Sequence, residues 1–358
     1  MTATTHFLVS KKDLHKTEFT KEETPALEDG EVLLRVDRFA FTANNVTYAA
    51  FGDAMKYWQF FPAPEGFGRI PVWGFADVAE SRHPGVTEGE RFYGYYPMST
   101  HLIVSPDKVT PAGFSDSAAH RAELAVVYNY YNNTKGDPAY TPDMEDLQMI
   151  FRPLFMTSFL IDDFLADNDF FGATQVVLSS ASSKTAFGAA FQLAKRNGIK
   201  VVGLTSKGNM DFVKSLGCYD EVIAYDDIQS LNAETKTAYV DMAGSGKVRH
   251  DIHTHFADRL VYSCAVGASH WDEMGSNEDL PGAKPTLFFA PAQGQKRVQE
   301  WGAQGFQAKT AEAWMDFIKP AASWIDVKRH SGQESMLEIY CNMVDGRAHP
   351  RDGHILSF

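Results

Sequence analysis

Several hydroxyl side chains and one lysine stand between a short apolar segment and an amphipathic segment near the middle of the chain. Four serines occur among the six residues from Ser179 to Lys184. Such residues at the start of a helix can donate hydrogen bonds to a phosphate group. The alternative is N-capping, in which the side chains accept hydrogen bonds from helix amides without a ligand. We favour phosphate binding, because four serines exceed the need of one cap. The candidate residues are Ser180, Ser182, Ser183, Lys184 and Thr185.

A second candidate segment follows the next apolar run, Val201–Leu204. Sites specific for NAD place an acidic residue at the end of this strand, where it binds the ribose hydroxyls. No Asp or Glu occurs between Val201 and Met210, and the segment carries Ser206 and Lys207 instead. A hydroxyl and a positive charge suit a 2′-phosphate, so the sequence favours NADP(H) over NAD(H). The alternative is a solvated loop lysine. The other residues expected in this cofactor site are Thr205, Asn209 and Tyr225.

Both segments belong to one stretch, residues 175–225, whose apolar pattern predicts alternating strands and helices. Val176–Leu178, Val201–Leu204 and Val222–Ala224 are short continuous apolar runs, as expected for buried parallel strands. Apolar residues at helical spacing lie between them, over Ala186–Lys195 and Phe212–Leu216. Right-handed crossovers between parallel strands build a doubly wound sheet with a crevice at the strand carboxyl ends. The candidate residues fall at those ends.

The N-terminal part of the chain predicts a different architecture. The short, turn-bounded strands expected there suggest a small barrel or sandwich. Prolines exclude a long helix from the aromatic-rich stretch 39–75. Further along, we expect a helix over Ala118–Tyr131 and a strand over Leu337–Tyr340. The N-terminal strands are expected over Glu31–Arg38, Phe75–Ser81, Glu90–Tyr95 and His101–Ser105.

Length, charge and cysteine content limit the class of protein. A chain of 358 residues favours two domains. A formal charge of −13 without a cluster of Lys and Arg argues against nucleic acid and anionic membranes as partners. Cys218, Cys264 and Cys341 are too scattered for a disulfide framework or a cysteine-based zinc site. No signal peptide and no apolar run of about 18 residues occur, so we expect a cytoplasmic protein.

Five regions together resemble the medium-chain dehydrogenase/reductase superfamily, on its zinc-independent quinone-reductase side. The regions are GEVLLRV (30–36), NNVTYAAFGD (44–53), GVTEGERFYGY (85–95), QLAKRNGIKVVGLTSK (192–207) with FVKSLGCYDEVIAYDD (212–227), and DGRAHPRDGHILSF (345–358). The turn SSASSKTA (179–186), with HR (120–121), RPLF (152–155) and DDFL (162–165), is similar to a bacterial branch of that superfamily. Two features depart from the superfamily: the nucleotide turn lacks its glycines, and the zinc-ligand cysteines are absent.

The resemblance implies an α/β fold with two domains. A GroES-like, β-rich substrate domain would comprise residues 1–150 and 292–358, and a Rossmann nucleotide-binding domain would comprise 151–291. Asp241, in the segment VDMAGSG (240–246), would line the nicotinamide ribose. A homodimer paired through sheet edges around Thr286–Phe289 is expected on the same ground.

The resemblance also places a substrate loop at residues 44–53, where the related reductases direct an Asn and a Tyr at the nicotinamide and the substrate carbonyl. Aligned on Gly52, Tyr48 falls on the superfamily tyrosine, and Asn44 lies one residue out of register. A carbonyl oxygen that gains charge needs a hydrogen-bond donor. Tyr48 is our first choice and Tyr57 the second; the alternative for each is a core tyrosine. The residues expected to bind an aromatic or hydrophobic carbonyl substrate are Asn45, Asp53 and Trp58.

Three charged or histidine-rich segments allow more than one interpretation. His120 could shuttle a proton near neutral pH beside Arg121. We favour salt bridges between the domains for this pair and for Asp162–Asp163. The histidines of RHDIHTH (249–255) indicate a polar helix face rather than a metal site.

The sequence therefore predicts a zinc-independent, NADPH-dependent reductase of a hydrophobic or aromatic ketone, enone or quinone. Hydride would pass from nicotinamide C4 to the substrate, and Tyr48 or Tyr57 would polarise or protonate the oxygen. The missing glycines keep open a non-catalytic nucleotide- or ligand-binding protein that retains the reductase fold. An NADP-dependent dehydrogenase working in the oxidising direction is a third possibility.

Overall fold

The structure of the protein is a computed structural model that describes residues 2–266 and 280–358. The chain divides into two units, Met1–Ile150 with Ile325–Phe358, and Phe151–Trp324.

The strands and helices follow one another in three segments of the chain. The N-terminal segment contains β1 (Ala3–Ser10), β2 (Thr17–Glu23), β3 (Val32–Phe41), α1 (Ala43–Ala50), β4 (Phe67–Gly68), β5 (Pro71–Ser81), β6 (Arg91–Pro97), β7 (His101–Val104), β8 (Pro106–Thr110), β9 (Gly113–Asp116), β10 (Tyr130–Asn133) and α2 (Glu145–Asp167). The middle segment contains β11 (Gln175–Leu178), α3 (Lys184–Leu193), β12 (Lys200–Thr205), α4 (Met210–Ser215), β13 (Glu221–Ala224), β14 (Thr237–Asp241), α5 (Gly246–Phe256), β15 (Leu260–Ala265), β16 (Pro285–Leu287) and α6 (Ala290–Trp324). The C-terminal segment contains β17 (Asp326–Ser331), α7 (Gln333–Val344) and β18 (Asp352–Ser357).

Two sheets form the first unit. A three-stranded sheet has the order β2-β1-β4, and a nine-stranded sheet runs β17-β18-β3-β5-β6-β10-β9-β8, with β7 also paired to β3. Strand β3 alternates, since Leu34 and Val36 are buried while Arg35 and Asp37 are exposed. Such alternation gives the sheet one apolar face for the core. The strands predicted in the N-terminal part are all present.

The second unit is built on a parallel sheet of six strands with the order β13-β12-β11-β14-β15-β16. In sequence order this is 3-2-1-4-5-6, the order of a Rossmann dinucleotide-binding sheet. The strands predicted from the apolar runs after Gln175 form as expected, because Val177, Val202 and Leu204 are fully buried. The order reverses between β11 and β14, which is the ligand-binding position in such sheets.

Two predicted elements are wrong. Residues 118–131 do not form one helix: Ala119–Arg121 and Val126–Tyr128 are separate 3₁₀ turns, and Tyr130 begins β10. Val126 and Val127 are exposed, so the segment lacks the apolar face that stabilises a helix. Leu337–Tyr340 lies inside α7, where the buried residues Met336, Ile339, Tyr340 and Met343 recur at helical spacing.

The second unit also extends further along the chain than the sequence indicated, because α6 belongs to it. Phe317 of α6 stacks on Phe155 with ring centroids 4.5 Å apart, and Trp324 contacts Phe187 at 5.6 Å. Residues 292–324, expected in the first domain, therefore pack with the second unit. No helix in the described part of the chain is long and apolar enough to cross a membrane.

Candidate functional site

The serine turn, residues 179–185, joins the end of β11 to the start of α3. Ser179 is fully buried, and its hydroxyl donates to Asp241 Oδ1 at 3.0 Å. The Ser179 Oγ atom also accepts hydrogen bonds from the backbone N–H groups of Met242 and Ala243 at 2.9 and 3.1 Å. Ser179 therefore ties the turn to the end of β14, at the position where the strand order reverses.

Ser180 occupies a backbone conformation that glycine usually takes in such turns. Its φ of +52° lies in the left-handed region, which is unfavourable for residues with a Cβ atom. Its N–H donates to the Tyr225 hydroxyl at 2.9 Å, and its carbonyl accepts from the N–H of Ser183 at 2.7 Å. These contacts hold the strained turn in the absence of glycine.

Ser183 is the N-cap of α3, since its hydroxyl accepts a hydrogen bond from the N–H of Ala186 at 3.3 Å. Ser183 therefore has the N-capping role that was the alternative to phosphate binding. Ser182 accepts a hydrogen bond from Asn209 Nδ2 at 3.3 Å, while Lys184 and Thr185 are half-buried in the first helical turn. The turn, Asn209 and Tyr225 are therefore brought together as the sequence predicted.

At the end of β12, the lysine predicted to bind a phosphate is paired with an acidic side chain. Thr205 is buried, whereas Ser206 and Lys207 are exposed. The Lys207 ammonium lies 3.0 Å from Asp226 Oδ2, and this contact raises the pKa of Lys207. Asp226, which follows β13, therefore places a carboxylate beside the end of β12, although residues 201–210 include no acidic residue.

Asp241 has a structural role at the end of β14. Its carboxylate accepts hydrogen bonds from Arg249 Nε at 3.0 Å, from the N–H of Gly244 at 2.9 Å and from Ser179. The side chains of Asp241 and Arg249 are both buried. This carboxylate therefore holds the serine turn, β14 and α5 in one arrangement.

In the first unit, the predicted substrate loop is a helix rather than an open loop. A capping box starts α1, in which the Asn45 side chain accepts from the N–H of Thr42 at 2.7 Å. Asn45 Nδ2 donates to the carbonyl of Pro71 at 2.9 Å, and the side chain is buried. Asn45 thus positions α1 on β5 instead of presenting its amide to a ligand.

Tyr48 lies on α1 at the centre of an aromatic group that we call the tyrosine cluster: Tyr48, Tyr57, Tyr95 and Tyr128 with Trp73. The Tyr48 ring lies 4.6 Å from that of Tyr57, and Trp73 Nε1 donates to the Tyr48 hydroxyl at 3.3 Å. Asn44 and Tyr128 lie near this hydroxyl and lower its pKa slightly. Burial raises the pKa of Tyr48 to about 12 and also raises that of Tyr57. Both phenols are therefore protonated at neutral pH and can donate a hydrogen bond.

Two predicted substrate residues lie elsewhere in the first unit. Trp58 fills the barrel core between two glycines: a Cβ atom at Gly52 or Gly68 would come within 2.1 or 2.3 Å of its ring. Asp53 is exposed, and no interaction of its carboxylate with the tyrosine cluster is present in the described residues. Neither residue contributes to the cluster.

Tyr128 and Tyr95 are the residues that sequence reasoning missed. Their rings lie 4.7 Å apart, and the Tyr128 ring also contacts those of Tyr48 and Tyr57 edge-on, at 6.4 and 5.9 Å. Tyr128 follows two exposed valines in a 3₁₀ turn. Because a helix was predicted for this segment, the contact of the Tyr128 side chain with the cluster was not foreseen. The density of tyrosines was the only indication in the sequence.

The charged pairs form salt bridges inside each unit rather than between units. Arg121 pairs with Asp116 in the first unit, and His120 Nε2 donates to the carbonyl of Phe60 at 3.2 Å. In the second unit, Asp162 and Asp163 pair with Arg196 and Arg297. Within residues 2–266 and 280–358, no group of three or more His, Cys, Asp or Glu side chains is placed to hold a metal ion.

A comparison with protein families now identifies the chain. The family described as "Protein of unknown function (DUF2855)" matches residues 39–349. The chain belongs to this family. No curated protein sequence matches the chain.

Solved structures extend the comparison to the fold of this family member. CurA from Vibrio vulnificus, solved in complex with NADPH, has a TM-score of 0.64 at 14% identity, over 98% of each chain. The quinone oxidoreductase from Coxiella burnetii has a TM-score of 0.55 at 14% identity, over 99% of each chain. A mutant form of enoyl thioester reductase from Candida tropicalis has a TM-score of 0.59 at 10% identity, over 100% of each chain. The fold is that of the medium-chain reductases, with a GroES-like β-rich unit and a Rossmann unit, as predicted.

Proposed function

We propose that this protein is an NADPH-dependent oxidoreductase that reduces a hydrophobic or aromatic ketone, enone or quinone. The observation that carries the proposal is the serine turn at the strand-order reversal of a Rossmann sheet, immediately before the N-terminus of α3. The match to CurA, which was solved in complex with NADPH, supports the cofactor, and the match to a quinone oxidoreductase supports the substrate class. We also propose, from the similarity of the SSASSKTA turn, that the chain belongs to one bacterial branch of the medium-chain reductases.

The residues of the second unit fit a dinucleotide phosphate. The first-turn amides and Lys184 would meet the diphosphate, since helix N-termini favour anions and none of residues 179–186 is acidic. Lys207 would bind the 2′-phosphate after leaving Asp226, because both side chains are exposed and an exposed pair is weak. When bound, NADPH would supply the hydride.

The first unit supplies donors for the substrate oxygen. Tyr48 has its phenol in an apolar surrounding, and its raised pKa keeps the proton available at neutral pH. We assign it the polarisation and protonation of the oxygen, with Tyr57 as second choice and Asn44 as its hydrogen-bond partner. Because phenols perform this step, the proposed chemistry is independent of zinc.

The cofactor half of the proposal is tested by titrating the purified protein with NADPH and NADH, followed by nicotinamide fluorescence. We expect NADPH to bind about tenfold tighter, and Lys207→Ala to abolish that preference, since one charged contact with the phosphate distinguishes the cofactors. Lys328→Ala, an exposed lysine of the first unit paired with Asp352, is the control. Equal affinity for both cofactors would remove the assignment of Lys207.

The chemical half is tested by replacing Tyr48 with Phe in a variant that still binds NADPH. Loss of a donor to a developing oxyanion lowers turnover by roughly a hundredfold or more. Tyr57→Phe tests the second choice in the same way, and Tyr128→Phe is the matched control from the same cluster. If Tyr48→Phe turns over carbonyl substrates at the wild-type rate, Tyr48 has no part in the step. Turnover with NADP and the corresponding alcohols measures the oxidising direction.

The second candidate is a non-catalytic nucleotide-binding protein. Two observations favour it: Ser183 is used as a helix cap, and Lys207 is paired with Asp226. NADPH binding without turnover of any quinone, enone or ketone would support this candidate.

We also propose a homodimer formed through the edge strand β16. This strand ends the parallel sheet, and Leu287 and Phe289 nearby are exposed by 76% and 54%. A solution mass corresponding to a monomer would exclude the dimer. The cytoplasmic location remains a prediction from the sequence.

A further inference from the structure

The first unit contains a cavity of about 170 Å³ that the proposed reaction does not use. Its lining includes two arginines, Arg69 and Arg121, their acidic partners Glu22 and Asp116, and apolar side chains such as Leu33 and Leu102. Phe60 and Phe61 form part of its wall. Cations beside an apolar surface are the arrangement that recognises an anion with an apolar body.

Arg121 is the first charged group on this wall, and its side chain is 1% exposed. Its Nη1 atom lies 3.1 Å from Asp116 Oδ2 and donates to the Tyr131 hydroxyl at 3.2 Å. Its Nε and Nη2 atoms are buried with no acceptor in the described structure. The guanidinium lies 4.8 Å from the ring centroid of Phe61, a contact that stabilises the charge but accepts no conventional hydrogen bond. Buried donors without acceptors are unfavourable, so this guanidinium has capacity for another partner.

Asp116 cannot readily supply the missing acceptors, because its oxygens already have partners. Oδ1 accepts hydrogen bonds from the backbone N–H groups of Ser105 and Ala118, each at 3.0 Å. Oδ2 is the atom paired with Arg121 Nη1. The carboxylate therefore fixes one edge of the guanidinium and leaves the other donors unpaired.

Arg69 is the second under-partnered cation on the wall. Its Nε atom is buried and has no acceptor among residues 2–266 and 280–358. Its nearest carboxylate, Glu22, is 61% exposed and lies 3.4 Å from Nη2. Burial lowers the pKa of Arg69, and the nearby Glu22 offsets only part of this effect. Glu22 also accepts a hydrogen bond from His6, so its attraction is shared.

We propose that this cavity binds a small carboxylic acid with an apolar body. The ligand carboxylate accepts hydrogen bonds from the Arg69 and Arg121 guanidiniums, whose planar forks match carboxylate geometry. The unpaired nitrogens lie under the cavity wall, so binding includes a side-chain rotation that exposes them. The apolar body packs on Phe60, Phe61 and Leu102. The volume suits a single ring, since a cavity of about 150 Å³ in another protein holds benzene.

The test is calorimetric titration of the full chain with benzoate, with benzamide as a neutral comparator of the same shape and inorganic phosphate as a second anion. We expect benzoate to bind and benzamide to bind about tenfold more weakly, because the amide lacks the charge. Arg69→Gln lowers benzoate affinity by roughly tenfold, whereas Arg82→Gln, an exposed arginine outside the cavity, leaves it unchanged. Arg121→Lys tests the fork geometry with the charge retained.

Three results would overturn the proposal: no benzoate binding up to about 10 mM, equal affinity for benzoate and benzamide, or phosphate binding in place of benzoate. Arg69 keeps the test decisive if the Arg121 variant does not fold, because its partners are an exposed acid, Glu22, and the carbonyl of Pro62, to which Nη1 donates. The titrations use no cofactor, so their outcome is separate from that of the proposed reductase activity.

Discussion

The serine turn and the tyrosine cluster differ in how their polar atoms are partnered. In the turn, Ser179 makes three hydrogen bonds, Ser180 is held by Tyr225, and Ser183 caps α3. In the cluster, Tyr48 receives one hydrogen bond of 3.3 Å from Trp73, and the Tyr95 hydroxyl has no partner in the part of the chain that the structure describes. One region uses its hydroxyls to hold backbone, and the other keeps them in apolar surroundings.

This difference assigns the two regions to different tasks. A turn whose side chains are internally paired is preorganised, so it can present backbone N–H groups to a phosphate without reordering. Phenols that are buried with few partners retain a proton that a substrate oxygen can accept. Under the proposed function, cofactor binding belongs to the turn and acid chemistry to the cluster.

The largest effect should come from breaking the anchor of the serine turn. Asp241→Ala leaves Arg249 buried without its carboxylate and removes the partner of Ser179. Breaking a buried ion pair in this way destabilises a protein by about 3–5 kcal/mol. Urea unfolding measures the loss, and Asp226→Ala, which removes an exposed carboxylate, should change stability by less than about 0.5 kcal/mol. Similar losses for the two variants would mean that the turn is not anchored at Asp241.

The tyrosine cluster predicts a loss of stability in alkali. Burial raises the pKa of Tyr48 to about 12, whereas a tyrosine of the unfolded chain titrates near 10. Between these values the unfolded state binds fewer protons, so stability falls as pH rises, by about 1.4 kcal/mol per pH unit for each such phenol. Below pH 10 the phenol is protonated in both the folded and the unfolded state, so the stability of the folded protein is retained in full.

Urea midpoints measured from about pH 9 to 12, with tyrosinate absorbance as a second probe, check this expectation. Tyr48→Phe should reduce the slope by the contribution of one phenol. A urea midpoint that does not move across this range would show that the cluster hydroxyls are solvated. The hydroxyls of the cluster and of the serine turn would then no longer differ in their surroundings.

The position of the nucleotide-binding half was predictable from sequence because local patterns determine it. Continuous runs such as Val176–Leu178 are typical of buried strands of a parallel sheet, and the residues that follow such strands lie at one edge. The serine turn, Asn209 and Tyr225 were located correctly for that reason. The Lys207–Asp226 contact was missed, since it depends on the conformation of the turn after β13.

The tyrosine cluster was less predictable, because its residues come from segments that are far apart in the sequence. Tyr48 lies on α1, Tyr95 on β6 and Tyr128 in a 3₁₀ turn, and only sheet pairing brings them together. Trp58 was misplaced because its burial depends on two glycines that leave room for the indole. Tertiary packing, rather than any local pattern, decides which aromatics form the core and which form the cluster.

The smallest expected effect is a difference in stability between variants of two serines of the turn, Ser183 and Ser182. Ser183→Ala removes the cap of α3 and should lower the free energy of unfolding by about 1 kcal/mol, because an orphan amide loses its acceptor. Ser182→Ala removes only a 3.3 Å hydrogen bond from Asn209 and should change stability by less than about 0.5 kcal/mol. Ser183→Asp, which retains a capping oxygen, is the control and should restore stability. If Ser183→Ala and Ser182→Ala behave alike, the cap does not hold the helix, and the turn is less preorganised than its hydrogen bonds indicate.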